Sequence, residues 1–306
     1  MNAKKRFSAS AMLFLGMAIF GSGTPVSKIV GESFPPILAS GLRMALAGIL
    51  LLPFALIKTK NLFQLTAREW RFVALVALVG NVAFSLLMLG GMRLVPGVVG
   101  SVVMSTTPMV TALASVYFLK ESMNLPKLLA LAFGFTGALF INLSFMGGNT
   151  PGTIITLATG SLLVFAAVCS ETTYSLIGKV ALKDMKPIKL ATLSALVAAA
   201  LFVPLMIWDA VTFDWHSVKF SHWSALVWWG AGTMALGSVL WYSGIENVPG
   251  HVAAGFMAVM PVSALLLSYF LLGERFDWLH LLGFGFTFIG VLLIMNQHIQ
   301  ASRTKE

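Results

Sequence analysis

Charged side chains are scarce in this 306-residue chain, where 20 Lys and Arg and 11 Asp and Glu together make up 10% of the residues. A soluble domain carries about 25% charged residues. No soluble core of this size hides the 58% of side chains that are hydrophobic. The composition therefore excludes an ordinary soluble protein and indicates an integral membrane protein.

Cysteine is also nearly absent, because Cys169 is the single one. This excludes an intrachain disulfide and a metal cluster held by several thiolates. The chain has no Gly-x4-Gly-Lys-Ser/Thr phosphate loop, so we expect no step driven directly by ATP. Its five histidines lack the spacing of metal ligands. We expect neither a cofactor nor a metal site.

Long apolar runs, in contrast, recur along the whole chain. At about 20 residues per spanning helix, ten spans use roughly 200 residues and leave about 100 for ends and loops. The first run follows Lys4, Lys5 and Arg6, as in a signal peptide, but it is long and has no clear cleavage site. We interpret it as an uncleaved first span. We predict an all-α integral membrane protein with ten transmembrane helices, at 8–30, 36–57, 70–92, 96–119, 127–146, 154–178, 187–208, 223–245, 250–272 and 278–296.

The second half of the sequence repeats the first. Eight of the twelve prolines and several other residues recur after 151 positions, or after 153 from the third span onward. The pairs include Lys28 and Lys179, Pro36 and Pro187, Pro53 and Pro204, Trp70 and Trp223, Gly91 and Gly244, Pro96 and Pro249, and Pro108 and Pro261. We therefore predict two five-helix repeats, 8–146 and 154–296. Because five is odd, the second repeat is inverted relative to the first, as in secondary transporters.

The basic residues agree with this topology when the N-terminus is placed in the cytoplasm. Four of them then lie outside and Arg43 lies within a span, whereas fifteen lie inside, as the positive-inside rule requires. The inner residues are Lys4, Lys5, Arg6, Lys58, Lys60, Arg68, Arg71, Lys120, Lys127, Lys179, Lys183, Lys186, Lys189, Arg303 and Lys305. We predict that both termini are cytoplasmic. The formal charge of +9 is then a topology signal, and we expect no nucleic-acid partner.

Several motifs make the halves resemble EamA domains, and the whole chain is similar to the ten-helix members of the drug/metabolite transporter superfamily. The motifs are Phe20-Gly21-Ser22, Leu42-Arg43-Met44, and a mid-helix proline followed by Phe118-Leu119-Lys120-Glu121 or Leu271-Leu272-Gly273-Glu274. The resemblance implies alternating access and a central cavity lined mainly by spans 1, 3, 4, 6, 8 and 9. It also implies export of amino acids, other metabolites or drugs, although some members import nutrients or exchange solutes.

Glu171 is the one acidic residue that is clearly inside an apolar span, where the resemblance does not lead us to expect a carboxylate. It aligns with Phe20 of the first half. At ~1.5 Å per residue, Glu171 lies roughly 12 Å from the cytoplasmic end of its helix at Lys179. Ionisable groups at such depth usually face a cavity. We hypothesise that Glu171 binds a substrate's ammonium group or carries a proton in exchange; the alternative is a protonated, hydrogen-bonded structural residue.

Other polar, aromatic and kink-forming residues lie on the spans expected to line the cavity. Pro108 and Pro261 free the carbonyls of Met104 and Met257, and they act either as symmetric hinges or as static kinks. Ser105, Thr106 and Thr107 are placed to satisfy or exploit the break in the fourth span. Arg43 lies on a span that we expect to be peripheral, so we assign it a structural role. Beside Glu171, the predicted substrate-binding set is Phe20, Asn81, Met104, Ser105, Tyr174, Ser175, Trp241, Tyr242 and Met257.

These features together predict a secondary transporter of small organic solutes in a bacterial inner membrane. One carboxylate in an aromatic cavity favours zwitterionic or cationic solutes, such as amino acids. We predict export, with protons as candidate coupling ions. An uptake or exchange permease of the same fold is the alternative, and an integral-membrane enzyme or scaffold is a distant one, since no catalytic constellation is visible. The expected partners are the solute and the lipid bilayer, with the protein a monomer or a homodimer.

Overall fold

A computed structural model describes residues 3–107, 151–245, 259–273 and 278–303, together with Phe256 and single positions between 109 and 137. The chain is helical through almost all of these residues, and they include no strand. The interior of a bilayer has no water to hydrogen-bond the backbone. A single spanning segment satisfies its own N–H and C=O groups by forming a helix.

We number the helices in chain order, and most of them begin and end within a few residues of the predicted spans. The helices are α1 Ala3–Ser33, α2 Pro36–Lys58, α3 Ala67–Leu94, α4 Gly97–Met104, α5 Pro151–Ala181, α6 Pro187–Thr212, α7 at 220–245, α8 Val259–Leu272 and α9 Trp278–Arg303. The predicted fifth span, 127–146, is described at single positions alone, and most of 250–258 lies outside the described residues.

Five of the described helices are long and apolar enough to cross a membrane. They are Ser8–Ser33, Pro36–Lys58, Ala67–Leu94, Ile154–Gly178 and Pro187–Thr212. Large apolar side chains on their outer surfaces are exposed, including Ile57, Trp208 and Phe54. Such a surface is unfavourable in water but suits contact with lipid. The number ten and the cytoplasmic placement of both termini stay predictions.

The repeat seen in the sequence has local structural counterparts. Pro36 and Pro187 each occupy the first turn of a helix, where the absent N–H costs nothing. The equivalent helices α3 and α7 also share a π-helical interruption, at Val76–Ala83 and Trp228–Gly237.

The start of α3 is fixed by a capping box at Thr66. The Thr66 hydroxyl accepts from the Glu69 N–H, and the Thr66 N–H donates to the Glu69 carboxylate.

Helices of one half pack mainly against helices of the other. Helix α1 contacts α7 and α8, α5 contacts α3 and α4, and α2 contacts α6. Glycines make two of these approaches close: a Cβ at Gly91 of α3 would lie 2.9 Å from the Gly160 carbonyl oxygen of α5, and one at Gly244 of α7 would lie 2.7 Å from Leu13 of α1. Gly91 and Gly244 form one of the repeat pairs, so both halves use an equivalent glycine to bring two helices close together.

We predict that Gly91→Ala lowers the stability of the protein, whereas Gly90→Ala does not. Alanine favours a helix over glycine by about 1 kcal/mol, and a Cβ at Gly90 meets only Leu163 at 3.9 Å. At Gly91 the new methyl group meets backbone of α5, and overpacking of this kind costs about 1–3 kcal/mol. Thermal unfolding in detergent measures both variants. Equal melting temperatures for the two would contradict the close approach of α3 and α5.

Candidate functional site

A cavity between the two halves lies where α1, α3, α5 and α7 face one another. Its wall combines aromatic rings and methionines with a few polar groups. The residues that line it are Met17, Phe20, Gly23, Thr24, Arg43, Gly80, Asn81, Phe84, Met88, Met104, Thr107, Glu171, Tyr174, Ser175, Trp229, Thr233, Met234, Ser238, Trp241 and Met260. A largely apolar wall with a small number of placed polar groups is typical of small-molecule sites.

The lining is built from equivalent positions of the two repeats. Fourteen of the lining residues form seven pairs separated by 151 or 153 positions in the sequence. The pairs are Phe20 and Glu171, Gly23 and Tyr174, Thr24 and Ser175, Gly80 and Thr233, Asn81 and Met234, Met88 and Trp241, and Thr107 and Met260. The two halves therefore present the same faces to one cavity, although the side chains within each pair differ in chemistry.

Both π-helical segments contribute to this wall. Gly80 and Asn81 come from the segment in α3, and Trp229, Thr233 and Met234 come from the segment in α7. A π-helical turn inserts extra backbone and turns side chains away from their α-helical directions, and such turns are frequent at functional sites. Their equivalent placement ties the irregular backbone of each half to the cavity.

Glu171 lies in the cavity wall, partly exposed, with one described hydrogen-bond partner. The Thr107 hydroxyl lies 3.2 Å from Glu171 Oε2 and 2.7 Å from the Met104 carbonyl oxygen. A hydroxyl has one hydrogen to donate. Thr107 therefore donates to only one of these two acceptors at a time, Glu171 or the Met104 carbonyl.

Three consecutive hydroxyls satisfy the carbonyls at the end of α4. Ser105 donates to the Val102 carbonyl at 2.6 Å, Thr106 to Val103 at 2.7 Å, and Thr107 to Met104 as above. We expected hydroxyls near Ser105 to satisfy the Met104 carbonyl that Pro108 frees. Thr107 donates to that carbonyl, whereas the Val102 and Val103 carbonyls also accept from backbone N–H groups. Of the three, Thr107 is the one that also reaches the cavity.

Arg43 of α2 also lies in the cavity wall, which differs from the peripheral position that the sequence led us to expect. It is 6% exposed. Its Nη1 donates to Ser85 Oγ at 3.0 Å and its Nε to the Trp229 carbonyl oxygen at 3.3 Å. The guanidinium stacks 4.2 Å from the centre of the Trp229 ring, a favourable cation–π contact. Arg43 thus has the structural contacts we assigned to it, and it faces the cavity as well.

Tyr174 fills the space that Gly80 leaves open. A Cβ at Gly80 would lie 2.5 Å from the Tyr174 ring, so the side chain of Tyr174 packs directly against the π-helical segment of α3. Tyr242 stands beside Tyr174, with ring centres 6.3 Å apart. Tyr242 lines a neighbouring cleft with Lys58 and Lys186 rather than the central cavity.

The structure brings together seven of the ten predicted substrate-binding residues. Ser105 and Tyr242 lie outside the lining. The nearby Thr107 and the adjacent Trp241 line the cavity in their place. Met257 and Pro108 lie outside the described residues, as does the side chain of Pro261, whose backbone belongs to α8. The seven that meet in the cavity are Phe20, Asn81, Met104, Glu171, Tyr174, Ser175 and Trp241.

Sequence reasoning missed Arg43, Thr107 and Trp229 as members of the wall. An arginine inside a span was itself the signal for Arg43, since charged groups at such depth face cavities more often than lipid. The position of Trp229 depends on the π-helical segment and left no such signal. In the part of the chain that the structure describes, no group of three or more His, Cys, Asp or Glu is placed to hold a metal ion.

Comparison with known proteins identifies relatives over the whole length. The chain is 30% identical over 290 residues to the uncharacterized transporter YetK of Bacillus subtilis, covering 95% of this chain and 87% of YetK. It is 29% identical to the uncharacterized inner membrane transporter YedA of Escherichia coli, covering 92% and 89%. It is 25% identical to the S-adenosylmethionine/S-adenosylhomocysteine transporter of Chlamydia trachomatis, covering 94% and 89%.

A solved crystal structure shares the fold. It matches 98% of this chain and 99% of its own length with a TM-score of 0.66 and 17% sequence identity. The model of the EamA-like transporter family matches the chain twice, at residues 7–143 and 158–296. With both halves matched and the apolar helices described above, the chain is a multi-pass membrane protein that belongs to the EamA-like transporter family.

Proposed function

We propose that this transporter moves small organic solutes with an ammonium group, amino acids or related metabolites and drugs, out of the cytoplasm through the inner membrane. The observation that carries the proposal is Glu171 in a cavity between the two repeats. Its carboxylate is the acidic group that the described wall offers to a cationic centre. The surrounding rings and thioethers suit an apolar substituent. Sugar phosphates would require several basic groups, whereas the described lining includes one, Arg43.

Alternating access is supported by the way the lining is shared. Each half contributes equivalent positions to one central cavity, so a rocking motion of one repeat against the other exposes the cavity to either side in turn. We take the two repeats, 8–146 and 154–296, as the moving units, inverted relative to each other with both termini in the cytoplasm. Pro108 and Pro261 are the proposed hinges.

The substrate named for one relative has the chemistry of this proposed class. S-adenosylmethionine, named for the relative from Chlamydia trachomatis, carries an ammonium and a carboxylate group on one carbon. At 25% identity this is support for the class of substrate, not for the compound. YetK and YedA add no substrate information.

Thr107 provides a route from the protonation of Glu171 to the backbone. When Glu171 is protonated, it donates to Thr107, which donates to the Met104 carbonyl. When Glu171 is ionised, Thr107 turns to donate to the carboxylate, and the carbonyl loses its partner. Residue 108 is a proline, which has no N–H to replace that bond. Proton release and solute binding at Glu171 are thereby linked to the end of α4.

We predict that Glu171→Gln removes transport driven by a pH gradient while the protein still folds. Glutamine keeps the size of the side chain but neither carries the proton nor attracts an ammonium group. Losing a charge-assisted contact costs about 1.5–3 kcal/mol, so we expect the flux of labelled amino acids into proteoliposomes to fall roughly ten-fold or more. The melting temperature reports folding.

Asp184→Asn is the matched control for this experiment, because Asp184 pairs with the exposed Arg68 at 3.4 Å, away from the cavity. It removes one carboxylate and is expected to leave transport unchanged. Flux like that of the wild type in Glu171→Gln, with the same dependence on the pH gradient, would refute the assignment of the site.

We predict that Thr107→Val uncouples transport from protons, whereas Thr106→Val does not. Both changes preserve shape and remove a hydroxyl bond worth about 1 kcal/mol. Only the Thr107 hydroxyl contacts Glu171 among these two. Accumulation driven by a pH gradient should fall several-fold in Thr107→Val while solute exchange without a gradient continues. If the two variants lose gradient-driven accumulation and gradient-free exchange in equal proportion, the Thr107 hydroxyl has no part in proton coupling.

A further inference from the structure

Arg43 keeps donors available on the cavity side after its structural bonds are made. A guanidinium has five N–H donors. The bonds to Ser85 and to the Trp229 carbonyl use two of them, and Nη2 has no partner among the described residues. No carboxylate of the described chain pairs with Arg43, since the ion pairs there join other residues. Glu171 acts on Arg43 electrostatically across the cavity without contacting it directly, and a buried cation that no carboxylate contacts is costly.

Asn81, in the same cavity wall, carries a second donor without a described partner. Its side chain is 2% exposed, and its Nδ2 has no hydrogen-bond partner in the described structure. Buried amide groups are nearly always paired, so each exception requires a reason. Asn81 lines the cavity together with Arg43 and Glu171, and an acceptor bound in the cavity supplies the missing partner once the amide group turns toward it.

We propose that Arg43 and Asn81 form a carboxylate subsite, so that the transporter selects zwitterionic α-amino acids with apolar side chains over simple amines. The planar guanidinium offers parallel N–H groups to the two oxygens of a carboxylate, and Asn81 adds a neutral donor. This inference rests on the proposed function, in which Glu171 binds the ammonium group. A solute with one charge of each sign complements both charged groups, whereas an amine leaves the Arg43 charge unpaired.

The two ends of this site come from different halves of the chain. The repeat counterpart of Arg43 is Ser194, that of Asn81 is Met234, and that of Glu171 is Phe20. The carboxylate subsite therefore belongs to the first half and the ammonium subsite to the second. A zwitterion bridges the two halves, and binding it favours the arrangement in which the halves are close.

The experiment compares three compounds that share a side chain: L-leucine, isopentylamine without the carboxylate, and 4-methylpentanoate without the ammonium group. The same series is measured for L-methionine and L-phenylalanine. Ligands of the folded state raise its melting temperature, and calorimetry on the detergent-purified protein gives affinities. In the wild type, at least one amino acid should bind about ten-fold or more tightly than its amine and its acid.

Arg43→Gln and Asn81→Leu should each bring the affinity ratio of amino acid to amine toward one, and the amine should bind at least as tightly as before because both variants keep Glu171. Asn81→Leu breaks no described bond of Asn81 Nδ2, so it decides the question even where Arg43→Gln fails to fold. Lys28→Gln is the control, because Lys28 donates to the Val95 carbonyl outside the cavity and should leave the ratio unchanged.

The outcomes separate this inference from the proposed function. If amines bind as tightly as amino acids, and lose that affinity in Glu171→Gln, the ammonium site stands and the carboxylate subsite is refuted. An unchanged ratio in Asn81→Leu and Arg43→Gln also refutes it. If neither amines nor amino acids bind, or Glu171→Gln leaves amine binding intact, both proposals fail.

Discussion

Arg43 and Glu171 line one cavity among the apolar spans, and the ion pairs of the described residues do not join them directly. Attraction in a medium of low polarity favours a direct pair, but each group is held by neighbours instead. Arg43 is fixed by the Trp229 ring and carbonyl and by Ser85, and Glu171 is contacted by Thr107. These contacts belong to helices of both halves, so the charge separation exists only when the two repeats are packed together.

The repeat provides a symmetric frame, and the polar side chains break that symmetry. Equivalent glycines bring α3 close to α5 and α7 close to α1, and equivalent π-helical segments face the cavity. Within this frame, however, Glu171 is opposite Phe20 and Asn81 is opposite Met234 in the pairing of the repeats. The shape of the cavity therefore follows from duplication, and its chemistry follows from divergence between the two copies.

The sequence contains enough information for the helices and for Glu171, but not for the direction of every side chain. Apolar length and paired prolines locate the helices. A carboxylate inside a span is costly to desolvate, so its presence there indicates a cavity. Neighbours such as Trp241 and Tyr242 differ by about 100° around a helix, so a segment predicted to face the cavity places one residue in it and turns the next away. The depth of Arg43 in its span indicated a cavity, but the contact with Trp229 of the other half, which holds the guanidinium in the wall, has no signature in local sequence.

Polar contacts at the start of the third helix of each half join the two repeats, and the two contacts differ in burial. Glu69 of α3 pairs with Lys189 of the second half at 3.6 Å, and His222 of α7, its counterpart 153 residues later, lies 3.6 Å from Glu32 of the first half. Glu32 is largely exposed, and exposed pairs contribute about 0–1 kcal/mol, whereas the side chains of Glu69 and Lys189 are mostly buried. The proposed alternating access separates the halves at one end while the other stays closed. Such a cycle breaks a mostly buried salt bridge at the Glu69 end but only a weak, exposed contact at the Glu32 end, where the closed state depends on helix packing and on the solute that bridges the halves.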